Sequence, residues 1–178
     1  MTNVSKKKEF IQLYEMHHEQ FIRYCTVLTN CTIATEDLVQ DVLTDVYAKF
    51  HTIKDTSKFL HYLIRVAKFK YLNGLRRKKF TSYDSEIFNS TLLDKGANIE
   101  HIYDIEVLYK ALNKLPIKQK EAIILFEING FSMKEIAEIQ KSSVGAIKTK
   151  ISRGRQKLKT MLSSDLTRSI YHLKSILL

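Results

Sequence analysis

Three observations predict an all-helical chain built as two small domains. Only one Pro and five Gly occur in 178 residues, so little interrupts long helices. Apolar residues recur every three or four positions, and no sustained period-two run rich in Val, Thr and aromatics marks a strand. Between residues 81 and 104 that period disappears and Ser, Asn and Asp gather. This segment reads as a flexible acidic linker between domains 1–80 and 105–178.

In the first domain, Phe10, Leu13, Tyr14, Phe21, Cys25 and Leu28 share one face of a first helix. Leu38, Val39, Val42, Leu43, Val46, Tyr47 and Phe50 define a second, which Thr35, Glu36 and Asp37 can start. Its opposite face carries Glu36, Asp37, Gln40, Asp41 and Asp45, and no basic residue lies between Arg23 and Lys49. An acidic face on a basic protein points to a protein partner. Ser57 is positioned to cap a third helix holding Phe59, Leu60, Leu63, Ile64, Ala67, Tyr71, Leu72 and Leu75. That helix interleaves Arg65, Lys68, Lys70 and the run Arg76-Arg77-Lys78-Lys79 with Tyr62, Phe69, Tyr71 and Phe80, and lacks carboxylates from Lys58 to Lys79. Cations among flat rings suit single-stranded or melted DNA, by neutralising phosphates and stacking bases. An ordinary aromatic core with a solvated basic face accounts for the same residues.

Helical spacing resumes at Ile105, Leu108, Ala111, Leu112 and Leu115. Pro116 then suits the first turn of a helix carrying Ala122, Ile123, Phe126 and Ile128, which Gly130 can end. Two short helices joined by a tight turn follow over residues 132–158. Ser132 and Glu135 have capping-box spacing, Ile136, Ala137 and Ile139 form a small apolar face, and Ser142 or Ser143 can cap the second helix. There Val144, Ile147, Ile151, Leu158 and Leu162 leave Lys148, Lys150, Arg153, Arg155, Lys157 and Lys159 for other faces, with no acidic residue between Lys141 and Lys159. This is the pattern of a helix-turn-helix with a basic recognition helix. Beyond it, Leu166, Ile170, Leu173 and Leu177 keep helical spacing, giving a C-terminal helical extension that either packs on the second domain or offers an apolar strip to a regulator.

The formal net charge is +10. Residues 1–80 hold +6, 81–110 hold −4 and 111–178 hold +8, so two basic blocks flank an acidic one. A polyanionic partner follows, and the basic helix beside a turn favours nucleic acid over membrane. No stretch approaches the roughly 18 apolar residues of a membrane span, and no apolar core follows Lys6-Lys7-Lys8. A cytoplasmic protein without membrane insertion is expected. Cys25 and Cys31 fit neither a redox Cys-x-x-Cys nor a zinc site. His17, His18, His51, His61, His101 and His172 make no metal-ligand pattern, and no phosphate loop or nucleophile elbow occurs. We expect no catalytic residue, metal, cofactor or small-molecule substrate.

Together these segments resemble the compact two-domain sigma factors of bacterial RNA polymerase, the extracytoplasmic-function (ECF) group of the sigma-70 family. Thr35-Glu36-Asp37-Leu38-Val39-Gln40-Asp41-Val42 is similar to the core-polymerase-binding helix of sigma region 2, and Phe59 to Lys79 to its promoter-melting, minus-ten-reading helix. Leu115-Pro116-x-Lys118-Gln119-Lys120-Glu121-Ala122, Gly130-Phe131-Ser132-x-x-Glu135-Ile136-Ala137 and Gly145-Ala146-Ile147-Lys148 resemble region 4, which reads the minus-thirty-five element. The resemblance implies that Glu36, Asp37, Gln40 and Asp41 contact core RNA polymerase. It assigns Lys68, Lys70, Asn73, Arg76 and Arg77 to minus-ten DNA, Asn73 as base reader and the others mainly on phosphates. It assigns Ser143, Val144, Lys148, Thr149, Ser152 and Arg153 to the minus-thirty-five groove, with Lys148 or Arg153 suited to a guanine. Promoter DNA, core RNA polymerase and an anti-sigma factor are the implied partners.

The turn departs from the family. Gln140, Lys141 and Ser142 stand where an apolar residue, a Gly and another apolar residue are usual, so strain at Lys141 and looser packing of the two helices are expected. Tyr62 stands where Trp is frequent, which keeps an aromatic surface of smaller area. A stand-alone helix-turn-helix regulator is the alternative function, though the first 80 residues lack the strand-helix alternation of a receiver domain.

Overall fold

The computed structural model describes residues 3–30, 34–53, 55–80 and 99–162. The C-terminal extension, Cys31 and residues 81–98 of the expected linker lie outside them. The described residues contain no strand. Helix α1 spans Asn3–Leu28, α2 Ala34–Ala48 and α3 Phe59–Phe80; α4 spans Ile99–Asn113, α5 Ile117–Ile123, α6 Met133–Gln140 and α7 Val144–Met161.

Two helix starts differ from the expectation. Asp55, not Ser57, organises the entry to α3: its carboxylate accepts the Ser57 N–H at 3.0 Å and the Ser57 hydroxyl at 2.5 Å, and the turn Thr56–Lys58 is 3-10 helical. An extended Asp reaches the backbone two residues on, where Ser57 itself is already inside the turn. The hydroxyl bond holds the Asp55 carboxyl below its ordinary pKa. Helix α4 reaches back to Ile99 rather than starting at Ile105. Once its packed C-terminal half is formed, adding residues to the helix needs no new nucleus.

The apolar stripes face one another as their spacing requires. Phe10, Phe50 and Phe59 meet edge to face, with ring centroids 5.4, 5.7 and 6.1 Å apart. Val42, Val46, Leu63, Ile64 and Ala67 close the interior of the first domain. In the second, Leu108, Leu112, Ile124, Ile136, Ile147 and Ile151 are buried, and α7 lies close along α5 at Gly154. Two expected core positions face solvent instead: Leu75 is 38% exposed and Val144 44%. Both sit at helix ends that extend beyond the packed stripe.

The two domains pack directly on each other, which the sequence did not foretell. Helices α1 and α3 meet the α5–α6 segment, and the buried residues of both domains form one continuous cluster. Helix α5 runs into a π turn at Ile124–Ile128, closed by Gly130 at φ +72°. There Asn129 and Gln20 of α1 exchange bonds, Gln20 Nε2 to the Asn129 carbonyl at 2.8 Å and Asn129 Nδ2 to the Gln20 carbonyl at 2.7 Å. Lys120, 2% exposed, sends its ammonium to the carbonyl of Leu28 at 2.9 Å, Asn30 Oδ1 at 3.1 Å and Asn113 Oδ1 at 2.8 Å. A cation from the second domain thereby caps the C-terminus of α1, where the helix dipole favours it.

Candidate protein and nucleic-acid interfaces

The acidic face of α2 is exposed where the sequence placed it. Leu38, Val39, Val42 and Val46 turn inward, and Glu36, Asp37, Gln40 and Asp41 remain on the opposite, solvent side. Glu36 and Asp37 stand in the first turn, where the helix dipole stabilises negative charge.

On α3 the predicted residues divide. Arg76 and Arg77 are exposed, whereas Lys68, Lys70 and Asn73 are half-buried. Lys70 Nζ stands 2.7 Å from Asp45 and 3.8 Å from Asp41, which links the basic helix to the acidic one. Lys68 Nζ stands 2.5 Å from Oε2 of Glu121, a fully buried carboxylate contributed by α5. Burial raises the Glu121 pKa, and Lys68, Lys150 and Gln140 partly offset that. The hydroxyl of fully buried Tyr24 faces the same carboxylate, and burial, then Glu121, push that phenol well above its ordinary value. Glu121 thus joins the two domains at a residue expected on the minus-ten surface, and the sequence reading missed it. Its signal was present: Glu121 lies in helical phase with Ile117, Ile124 and Ile128, a charge in an apolar stripe. Phe69, 66% exposed beside Lys68 and Lys70, presents an unpacked ring among cations.

The helix-turn-helix forms as its caps dictate. The Ser132 hydroxyl accepts the Glu135 N–H at 3.3 Å and the Glu135 carboxylate accepts the Ser132 N–H at 2.8 Å, a reciprocal capping box. Lys141 is left-handed, φ 48° and ψ 57°, and the Ser142 N–H returns to the Ala137 carbonyl at 2.9 Å. Ser143, not Ser142, caps α7 by accepting the Ala146 N–H at 3.2 Å. With this polar turn, Ile136 and Ile139 of α6 and Ile147 and Ile151 of α7 are all buried. Ser143, Val144, Lys148, Thr149, Ser152 and Arg153 are all exposed on α7. The Ser143 hydroxyl is engaged in the cap, and that of Thr149 donates to the Gly145 carbonyl at 3.0 Å.

Among the described residues no group of three His, Cys, Asp or Glu side chains converges as a metal site would require, and no helix is long and apolar enough to cross a membrane. Cys25 is a buried free thiol whose pKa burial pushes up.

Comparison with known proteins decides the family. Residues 13–81 match Sigma-70 region 2, and residues 105–158 match Sigma-70, region 4. The ECF RNA polymerase sigma factor EcfG of Rhodopseudomonas palustris is 30% identical over 131 residues, covering 73% of this chain and 72% of EcfG. The chain belongs to the ECF group of the sigma-70 family. SigX of Bacillus subtilis, another ECF sigma factor, is 25% identical over 162 residues, covering 86% of this chain and 83% of its own. Among solved structures, the sigma factor RpoE of Bartonella quintana, in complex with the anti-sigma factor NepR, superimposes with a TM-score of 0.68 at 26% identity. That match covers 89% of this chain and 97% of RpoE. CnrH, with a TM-score of 0.64 and 22% identity, shares the fold, covering 89% of this chain and 90% of its own. As a sigma factor, the chain binds core RNA polymerase and directs it to promoters for transcription initiation. Sigma factors as a class are initiation factors rather than enzymes.

Proposed function

We propose that this sigma factor docks on core polymerase through Glu36, Asp37, Gln40 and Asp41, and that two separate basic surfaces hold the promoter. Lys68, Lys70, Asn73, Arg76 and Arg77 of α3 engage the minus-ten element, and Ser143, Val144, Lys148, Thr149, Ser152 and Arg153 of α7 the minus-thirty-five element. The observation carrying this assignment is the division of α7: Ile147, Ile151 and Leu158 pack inward while the six groove-facing candidates are exposed on a helix without a carboxylate. The carboxylates of α2 present the opposite charge on a face of their own, where complementarity sets orientation and encounter rate. Each module makes few DNA contacts, and shared attachment to polymerase makes the second contact intramolecular.

Domains 1–80 and 105–178 act as the two modules, with 81–104 between them. In the closed arrangement Lys68 is neutralised by Glu121, so its engagement with a phosphate exchanges one anion for another and draws the domains apart. The protein works in the cytoplasm, has no catalytic role and uses no cofactor. By analogy with RpoE and NepR, an anti-sigma factor holds it inactive.

The test is transcription of a genomic fragment library by core polymerase of the source bacterium, with the wild-type protein or an Asp37→Arg/Asp41→Arg variant. Protein-dependent start sites sharing two spaced motifs, lost with the variant, are the expected result. Tight sequence-specific binding by the free protein, with no added transcription, would instead favour the stand-alone regulator.

A further inference from the structure

One lysine of the recognition helix does not face outward with the others. Lys150 lies one turn beyond Ile147 and beside Ile151, and it is half-buried while Lys148, Arg153, Arg155, Lys157 and Lys159 are exposed. Its ammonium donates to Gln140 Oε1 at 2.8 Å and to the Ser142 hydroxyl at 3.1 Å, which occupies two of its three donors. Gln140 is held in turn, its Nε2 donating to the Lys118 carbonyl of α5 at 3.2 Å. These bonds tie the end of α6, the turn, α7 and the start of α5 together at the place where Gln140-Lys141-Ser142 supplies neither a Gly nor an apolar plug. The left-handed Lys141 costs about 1–2 kcal/mol, and something else must hold the turn closed.

We propose that Lys150 is a positioning residue: with Gln140 and Ser142 it forms a polar bracket that sets the angle between α6 and α7, and it makes no contact with DNA itself. The inference rests on the reading of α7 as the minus-thirty-five recognition helix. Base readout requires the helix to be held within about 10–20° of its productive orientation. Ser142 and Gln140 lie on the near side of the turn, so a cation reaching back from α7 fixes that orientation directly. Burial, then the nearby Lys118, hold the Lys150 pKa below its ordinary value, and Glu121 only partly opposes them.

The experiment is a double-mutant cycle in full-length protein with core polymerase. Lys150→Met, Gln140→Ala and their combination are compared on a promoter found in the library experiment and on the same promoter with its minus-thirty-five element scrambled. The salt dependence of holoenzyme binding is measured in parallel, and far-UV circular dichroism melts check folding. Each single variant is expected to lose roughly three- to ten-fold of minus-thirty-five-dependent transcription, the double no more than the worse single, with an unchanged salt slope. Additive losses, with Lys150→Met lowering the salt slope by about one, would make Lys150 a phosphate contact and overturn the proposal. So would full activity in both variants while Arg153→Ala and Lys148→Ala reduce transcription. If those two groove-facing variants also leave the minus-thirty-five dependence intact, the recognition-helix reading itself falls, and the proposal with it. Should Lys150→Met not fold, Ser142→Ala decides, since the Ser142 hydroxyl accepts from Lys150 and a contact-only Lys150 predicts no loss from removing it.

Discussion

Replacing Lys120 with Met removes the cation that joins the second domain to the end of α1 while keeping most of the side-chain volume. Lys120 is 2% exposed and donates to three acceptors, the Leu28 carbonyl, Asn30 Oδ1 and Asn113 Oδ1, at 2.8 to 3.1 Å. Its ammonium also lies 5.6 Å from the ring centre of Tyr71. Hydrogen bonds from a charged donor contribute about 1.5–3 kcal/mol each, and the Met variant recovers the cost of burying the charge. Asn113 is exposed and regains water, whereas the Leu28 carbonyl and buried Asn30 are left without this donor. Two unsatisfied buried acceptors at about 1–3 kcal/mol each give a net loss of about 3 kcal/mol. In a chain of this length that is a fall in Tm of about 6–12 °C. Urea unfolding of the full chain, followed by circular dichroism and tyrosine fluorescence, reads it as a lower midpoint at unchanged slope. A loss below about 1 kcal/mol would mean that water or a rearranged Asn30 satisfies those acceptors as well as Lys120 does, and that the buried cation does not hold the domains together.

Three further outcomes follow from the geometry. Ser132→Ala removes one half of the capping box and should destabilise α6 by about 1 kcal/mol, read as a shifted urea midpoint. At Gly154 an added Cβ would meet Ile123 Cδ1 at 2.8 Å and Cγ1 at 3.1 Å, and Ile123 is a buried β-branched side chain with little freedom to turn aside. Gly154→Ala should therefore destabilise by about 1–3 kcal/mol in thermal melting, despite the better helix propensity of Ala, and the bulkier Gly154→Val by more. His17 and His61 are pushed below the ordinary pKa of 6.5 by burial, and for His61 the opposing pull of Glu135 and Glu138 does not prevail. The unfolded chain then binds more protons, so stability should fall as pH drops through 6.5 towards the folded values, and a His17→Gln/His61→Gln variant should lose that slope. Glu121, pushed up by burial, has the opposite sign: its contribution declines as pH rises from 4.5 through its folded value.

What was legible depended on whether a residue acts through its own helix. The capping box at Ser132 and Glu135 and the outward α2 carboxylates follow from spacing within one element, and the structure has them as the spacing requires, whereas spacing leaves Ser142 and Ser143 open as the cap of α7 and the backbone selects Ser143. The support of the turn is not legible in the same way: spacing places Lys150 on an outer face of α7, and only the angle between the helices brings its ammonium back to Gln140, ten positions away. Asp55 is hidden for a local reason, the competition of cap formers two residues apart, Asp55 and Ser57, which only backbone conformation settles.

The helices, the division of charge and the sigma-factor family can all be read from the residues in order, because helical period, capping residues and ordered motifs are short-range properties of the chain. How the two domains meet is set by packing between residues far apart in the chain. Lys68 and Glu121, or Lys120 and Leu28, are 53 and 92 positions apart. Their pairing exists because a buried charge must find a partner wherever packing has placed one, and no periodicity along the chain records which partner that is.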